Sequence, residues 1–318
     1  MNLDTYSMLV MPPAALLLDL AFADPASLPH PVRVIGWLVD RLENLARRIE
    51  ANSRILGALC VGLAVGAVGA AVYWLTHLRV FGPILALYFS FAGLALGMLL
   101  REGKNVLALL QEGDLDKARE RLSGLVSRDV GKLDAQGVQR SLAETLSENL
   151  NDAFVAPFFY LILAGPVGLW VYKTVSTMDS MWGYKTEKWK NLGWASARAD
   201  DVLAFIPARI TALVMIAVGL AQKLNAKGAL VRVLGDAKKC ESPNAGLPMA
   251  AAAWLLEAEM GGQASYFGET KEKPMLGPPG KAWDHAKLKK LLRLILFSGP
   301  ASALVLYACG VLGYYWWS

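Results

Sequence analysis

Residues 55–76 and 80–100 form two unbroken apolar runs, and nothing else in the chain restricts its fold as strongly. Each is close to the roughly 20 residues of helix that a hydrocarbon core about 30 Å thick requires. In lipid the backbone amides and carbonyls must be satisfied within the segment, so each run reads as a spanning helix. The neighbouring segments 38–54 and 101–151 are strongly charged, so the apolar residues are bunched, not spread over a globular core. Residues 291–317 make a third run, with Arg293 at its entry. Residues 7–23 make a shorter fourth, with Asp19 near its end. No basic stretch or small-residue cleavage pattern accompanies it, so it reads as a retained span and not a secretory leader. Charged residues are 19% of the chain, below the about 25% of a soluble domain. The expected class is an all-α integral membrane protein in contact with lipid.

Of the 32 Lys and Arg residues, 29 fall in segments 24–54, 101–152, 173–200 and 222–290. Basic loops stay on the cytoplasmic side, so these four segments are expected to build a site there, on one polytopic domain covering residues 1–318. Orientation accounts for the net charge of +5 without a nucleic acid partner. Two further apolar stretches are interrupted, 155–172 by Pro157 and Gly165-Pro166, and 202–222 by Pro207 and Arg209. A proline inside a helix costs about 3 kcal/mol, and an arginine at bilayer depth about 2.5–3.5 kcal/mol. Such segments are tolerated where they wall a wet cavity. Four full spans plus two broken or partly inserted segments around a cytoplasmic-side cavity are therefore expected, with six spans as the alternative. Gly62-x-x-x-Gly66 and Gly93-x-x-x-Gly97 are spacings that let helices approach closely. Gly113-Asp114 predicts a helix break with Asp114 as the next N-cap, and residues 261–280 read as a loop. Cys60, Cys240 and Cys309 have no paired spacing, which argues against a disulfide framework or zinc site.

Glu144, Glu148 and Asp152 recur every fourth residue, so a helix would carry all three on one face, with Arg140 the only cation on or near it. Like charges at this spacing destabilise a helix by roughly 0.2–0.5 kcal/mol. A solvated face relieves that, but this one runs into apolar sequence at Phe154. Mg²⁺ held by one or two carboxylates and phosphate oxygens also relieves it. Asp179 follows the same apolar segment, and Asp200-Asp201 opens the next, where either is an N-cap candidate. Arg209 stands out because a membrane-depth arginine pairs with a carboxylate or a phosphate; Asp201 is its plainest partner. Pro29 and Pro31 stiffen the chain around His30, beside Arg33. In Ser242-Pro-Asn-Ala-Gly246, Asn244 offers a hydrogen bond and Gly246 a turn. No P-loop, G-x-G-x-x-G, H-E-x-x-H or G-x-S-x-G motif stands in a usable context.

In their order and spacing, these segments resemble the adenosylcobinamide-phosphate synthase family of cobalamin synthesis, the CobD or CbiB membrane proteins. The resemblance runs from Asp24-Pro25 and residues 28–36 through Gly113-Asp-Leu, Arg128-Asp129, Glu148-Asn149, Asp152 and Ala156-Pro157. It continues through Tyr172-Lys173, residues 177–181, Gly183-Tyr184, Ala197-Arg198, Asp200-Asp201 and Pro207-Ala-Arg209, to residues 242–246, Gly261-Gly262 and Tyr266. Ala153, Ser176 and Leu203-Ala204 depart from the family pattern. The resemblance implies an ATP- and Mg²⁺-dependent ligase in a bacterial inner membrane. It would join a propionate of adenosylcobyric acid, a corrinoid, to 1-aminopropan-2-ol phosphate or ethanolamine phosphate. Glu148, Asp152, Asp179 and Asp201 become expected Mg²⁺ ligands. Arg33, Lys173, Arg198 and Arg209, with Asn244, become expected phosphate or substrate contacts. His30 and Glu144 are the candidates to take the ammonium proton. A complex with other late cobalamin-pathway membrane enzymes is compatible with this reading. The competing classes are a non-catalytic scaffold or sensor on the same fold, and a transporter component. Transporters built on repeats place broken helices in corresponding halves; here both broken segments share one half and no repeat is evident.

Overall fold

The computed structural model describes residues 3–23, 30–48, 53–183, 186, 189–266 and 268–317. Asp24-Pro25, Leu28, Pro29 and Tyr184, singled out above, lie outside the described residues. In chain order the helices are α1 (Leu3–Phe22), α2 (Pro31–Arg48), α3 (Arg54–Thr76), α4 (Gly82–Ala92), α5 (Leu96–Glu112), α6 (Leu115–Ser123) and α7 (Ala135–Leu150). A π-helical turn, Asn151–Val155, leads into α8 (Ala156–Trp182). Then come α9 (Trp194–Leu203), α10 (Phe205–Ala221), α11 (Ala226–Ala237) and α12 (Pro243–Leu255). A hairpin of β1 (Met260–Tyr266) and β2 (Glu269–Leu276) precedes α13 (His285–Trp317). These elements form two compact units. The first comprises Met1–Ala95, Ala156–Phe205 and Ala303–Ser318, and the second Leu96–Val155 and Ile206–Ser302.

Among the described residues, four helical stretches can cross a membrane by length and composition: Arg54–Thr76, Gly82–Glu112, Ala135–Trp182 and His285–Trp316. The protein is thus a multi-pass membrane protein of helical class, and three of the expected spans, 55–76, 80–100 and 291–317, fall in these stretches. The 7–23 segment lies within α1, Leu3–Phe22, whose 20 residues span about 30 Å at 1.5 Å per residue, close to the thickness of the hydrocarbon core. The 155–172 segment, expected to be partly inserted, belongs instead to a stretch that qualifies as a span. It is broken where the sequence indicated, since Ala164 and Gly165 leave helical geometry just before Pro166. The 202–222 segment is also broken, because α9 ends at Leu203 and α10 begins at Phe205; counting the pair as one span gives five among the described residues.

In the first unit α8 packs on α3 and α9, and α1 on α4. The buried Trp170 donates its indole N–H to the Phe89 carbonyl at 2.9 Å. At Gly93 an added Cβ would fall 2.0 Å from Leu169, so the small residue does permit close packing. At Gly62 and Gly66 it would meet nothing within 4 Å, so the approach expected there does not occur. Helix α3 instead leaves Ile55, Leu59, Leu63 and Trp74 exposed, an apolar surface of the kind lipid covers. Asp200 and Asp201 lie near the end of α9, not at a helix start, so the N-cap expectation fails; α9 already begins at Trp194.

In the second unit α7 packs against α5, α12 and β1. Asp114 caps α6 as expected, accepting the Lys117 N–H at 3.1 Å. Two expectations change. Residues 261–280 are not a plain loop, because β1 and β2 pair antiparallel from Met260–Leu276 to Tyr266–Glu269. Gly246 is not a turn but a residue inside α12, where a Cβ would come within 2.9 Å of Ala237 O and Cys240 Sγ. Its role is to let α12 approach the end of α11.

Candidate functional site

The second unit encloses a cavity of about 210 Å³ between α7, the start of α12 and the hairpin. Glu144 and Glu148, one turn apart on α7, form one wall. Tyr266 and Lys273 come from the two strands, Cys240 from the segment before α12, and Met249, Met260 and Leu276 supply apolar surface. At the rim Lys271 and Glu241 pair at 2.7 Å.

Glu144 is buried to 1% exposure and accepts three hydrogen bonds. They come from Arg128 Nη2 at 2.5 Å, Lys273 Nζ at 3.1 Å and the Gly261 backbone N–H at 2.8 Å. A buried carboxylate is stable only when so compensated. The Gly261 contact explains the Gly261-Gly262 pair. Both have positive φ, 96° and 82°, at a register irregularity between Met260 and Gly262. A Cβ on Gly261 would lie 2.1 Å from Pro274 O, so only glycine can turn its N–H onto Glu144 there. Arg128 and Asp129 divide the remaining work. Arg128 reaches inward to Glu144 and Ser141. Asp129 accepts from Ser265 Oγ at 2.6 Å and from the Gly268 N–H at 3.0 Å, fastening the hairpin tip. Burial alone would lower the pKa of the Lys273 ammonium, but the facing Glu144 outweighs it and holds the value above that of an ordinary lysine. Burial pushes the Cys240 thiol up to about 11.

Glu148 is half-buried and, among the described residues, makes no hydrogen bond or ion pair, although it lies in the field of Lys273 and Arg128. Asp152 falls in the π turn, where Asn151 Nδ2 donates to its carboxylate at 2.7 Å. Thr211 in turn donates to Asn151 Oδ1 at 3.0 Å. The four-residue rhythm of the acidic face therefore ends in a re-phased helix, of a kind frequent at functional sites. Arg209 donates to Asn244 Oδ1 at 2.8 Å, which joins two sequence-expected residues from α10 and α12.

The first unit holds the other expected residues. His30 precedes α2, and its Nδ1 accepts the Val32 N–H at 3.2 Å. It acts as a helix cap with Pro31 in the first helical position, a plain structural use of the proline. Arg33 and Arg198 are exposed, whereas Lys173, Asp179 and Asp201 are half-buried. Arg198 and Asp201 lie 3.9 Å apart. Among the described residues no three His, Cys, Asp or Glu groups converge as a ready-made metal cage. Mg²⁺ nevertheless suits the donor types present, because it commonly takes one or two carboxylates and fills its shell with water and phosphate.

Similarity to known proteins narrows the reading. The family model described as CobD/Cbib protein matches residues 13–295. The chain belongs to the CobD/CbiB family. A relative from Pelobacter propionicus is 41% identical over 304 residues, 94% of each chain. One from Geobacter metallireducens is 40% identical, covering 92% of this chain and 93% of its own. One from Clostridium perfringens is 35% identical, covering 91% and 95%. All three carry the name cobalamin biosynthesis protein CobD. No solved structure matches the chain. Within this family member, Arg128-Asp129, Glu148, Gly261-Gly262 and Tyr266 all meet at one cavity or its hairpin. Lys273 had no local sequence signal, because it is one of several lysines in an alternating polar run.

Proposed function

We propose that this membrane enzyme of cobalamin biosynthesis is the amide ligase that joins adenosylcobyric acid to 1-aminopropan-2-ol phosphate or ethanolamine phosphate. The observation that carries the reading is the walled cavity in a family member, with a neutralised buried Glu144, a half-buried Glu148 and Lys273 facing it. A propionate is a poor electrophile. Transfer of the ATP γ-phosphoryl group to it converts the carboxylate oxygen into part of a leaving group. The amine nitrogen then attacks the acyl carbon, the C–N bond forms, the C–O bond to phosphate breaks, and inorganic phosphate leaves. One proton leaves the ammonium before attack and a second as the amide forms.

Mg²⁺ bound to the phosphates supplies charge neutralisation during phosphoryl transfer. Asp179 and Asp201, both in the first unit, are the carboxylates we assign to it. Glu148 is set apart, because a dication beside it would also face Lys273 and Arg128. Arg33, Lys173 and Arg198 are the cations we assign to phosphate in the first unit; in the second, Arg209, oriented by Asn244, is assigned to phosphate by itself. Glu144 already accepts from two cations and an amide, so we assign it as a positioning residue for Arg128 and Lys273 and not as the base. His30, with Nδ1 facing its own helix, is left only Nε2 for that role. The active site faces the cytoplasm of a bacterial inner membrane in this reading, as the basic loops indicate.

The test is detergent-purified protein with adenosylcobyric acid, ATP, Mg²⁺ and each aminoalcohol phosphate, read by corrinoid mass. An ATP-dependent gain equal to amide formation is expected. A folded, corrinoid-binding sample that gives no product contradicts the ligase reading.

A further inference from the structure

The carboxylates at the cavity are not equivalent. Glu144 is held by Arg128 and Lys273, Glu241 is paired with Lys271, and Glu272 is exposed. Glu148 alone of the four is half-buried with no direct partner among the described residues. A carboxylate withdrawn from water without a donor is unfavourable, so the cavity calls for a cation that carries N–H groups. Opposite it, the Lys273 ammonium gives one of its three donors to Glu144, which leaves donors for an anion. Glu144, Glu148, Arg128 and Lys273 together carry two negative and two positive charges, so the wall is neutral overall but dipolar. At about 210 Å³ the space is below the about 300–1,000 Å³ of sites for drug-sized ligands. A nucleoside triphosphate or a corrin is larger than this space and would extend out of it. A small zwitterion does.

We propose that this cavity is the aminoalcohol-phosphate subsite, with the ligand's ammonium on Glu148, its phosphate on Lys273 and its short carbon linker against Met249, Met260 and Leu276. The assignment rests on the ligase reading and deepens it. It moves Glu148 from the expected metal set to amine recognition. It also gives the hairpin a purpose: Lys273 stands on β2 and the Gly261 amide on β1, so both reach Glu144 only when the hairpin is in place.

The experiment uses the full-length protein in detergent without corrinoid, ATP or Mg²⁺, and titrates ethanolamine phosphate by calorimetry. Ethanolamine, propyl phosphate and inorganic phosphate serve as single-ended controls. Wild type is expected to bind ethanolamine phosphate more tightly than any control. Glu148→Gln, nearly isosteric and chosen because Glu148 has no direct partner to lose, is expected to weaken that binding about ten- to a hundredfold, the scale of one charged hydrogen bond. It is expected to leave inorganic phosphate binding unchanged. Lys273→Met is expected to weaken both, and Lys273→Arg to recover part of the loss. In turnover, Glu148→Gln should raise KM for the aminoalcohol phosphate while KM for ATP stays at the wild-type value. Wild-type amide formation with an unaltered aminoalcohol-phosphate KM in both folded variants overturns this subsite and leaves the ligase reading standing. Equal affinity for inorganic phosphate and ethanolamine phosphate also overturns it, in favour of a general anion pocket. Tight, Glu148-dependent ethanolamine phosphate binding by a protein that forms no amide supports the subsite and removes the ligase reading.

Discussion

Among the described residues, the buried polar side chains of the first unit are Asp19, Ser90, Thr174 and Ser196, whereas the second unit buries a dozen, among them Glu102, Glu144 and Asp236. The partners differ as much as the numbers. Ser90 donates to Ala86 O, Thr174 to Trp170 O and Ser196 to Gly193 O, each bond within or at the edge of its own helix. In the second unit the buried carboxylates reach other elements. Glu102 on α5 takes both a 2.5 Å and a 2.7 Å bond from Arg121 on α6. Asp236 on α11 accepts from Trp254 on α12 at 2.7 Å and from the Gly277 N–H after β2 at 2.9 Å. Helices that satisfy their own polar groups suit lipid. Charges satisfied across elements fix a three-dimensional wall, which is what a binding cavity requires.

The contrast breaks first at Glu144. Glu144→Ala strands two half-buried cations, and the expected loss is about 3 kcal/mol, read as a lower urea midpoint in detergent. Thr174→Val in the first unit removes only a helix-internal hydroxyl and should change stability by less than about 1 kcal/mol. Equal losses would erase the distinction. Asp236→Ala comes next, at about 1–3 kcal/mol, because the Trp254 and Gly277 N–H groups lose their acceptor. Burial alone would raise the Asp236 pKa, but the bonds from Lys239, Gly277 and Trp254 outweigh it and hold the carboxyl below its usual value. Its stabilisation is therefore complete above the unfolded value, about 3.9, and is lost as pH falls through the lower folded value. Unfolding curves should show this acid slope in wild type and a shallower one in the variant. The smallest effect compares glycines. Gly246→Ala should cost about 1–3 kcal/mol by overpacking against α11, while Gly62→Ala, facing open space, should be neutral or stabilise by up to about 1 kcal/mol.

The spans were legible where lipid requires a continuous apolar run, as at 55–76 and 80–100. The 7–23 run lies within α1, and the break read at Gly165-Pro166 is present, because Ala164 and Gly165 leave helical geometry there. Glu144 and Glu148 were legible from one-turn spacing along α7. Their partners were not, because Lys273 meets Glu144 across 129 positions of sequence. The strand that brings it there opens with five polar residues, Glu269 to Lys273, and gathers its apolar ones at the end, so it carries no alternating signal. The glycine pair at 261–262 was visible, but its use depends on Pro274 passing against it. Asp200-Asp201 looked like a helix start only because the earlier start at Trp194 has no side-chain cap to announce it.

The most direct measurement is an experimental structure of the full-length protein with ethanolamine phosphate bound. Density in the hairpin cavity, with the phosphate on Lys273 and the nitrogen on Glu148, is the expected result. Ethanolamine phosphate ordered elsewhere in the protein, with the Glu144–Lys273 cavity filled only by water, would contradict the account.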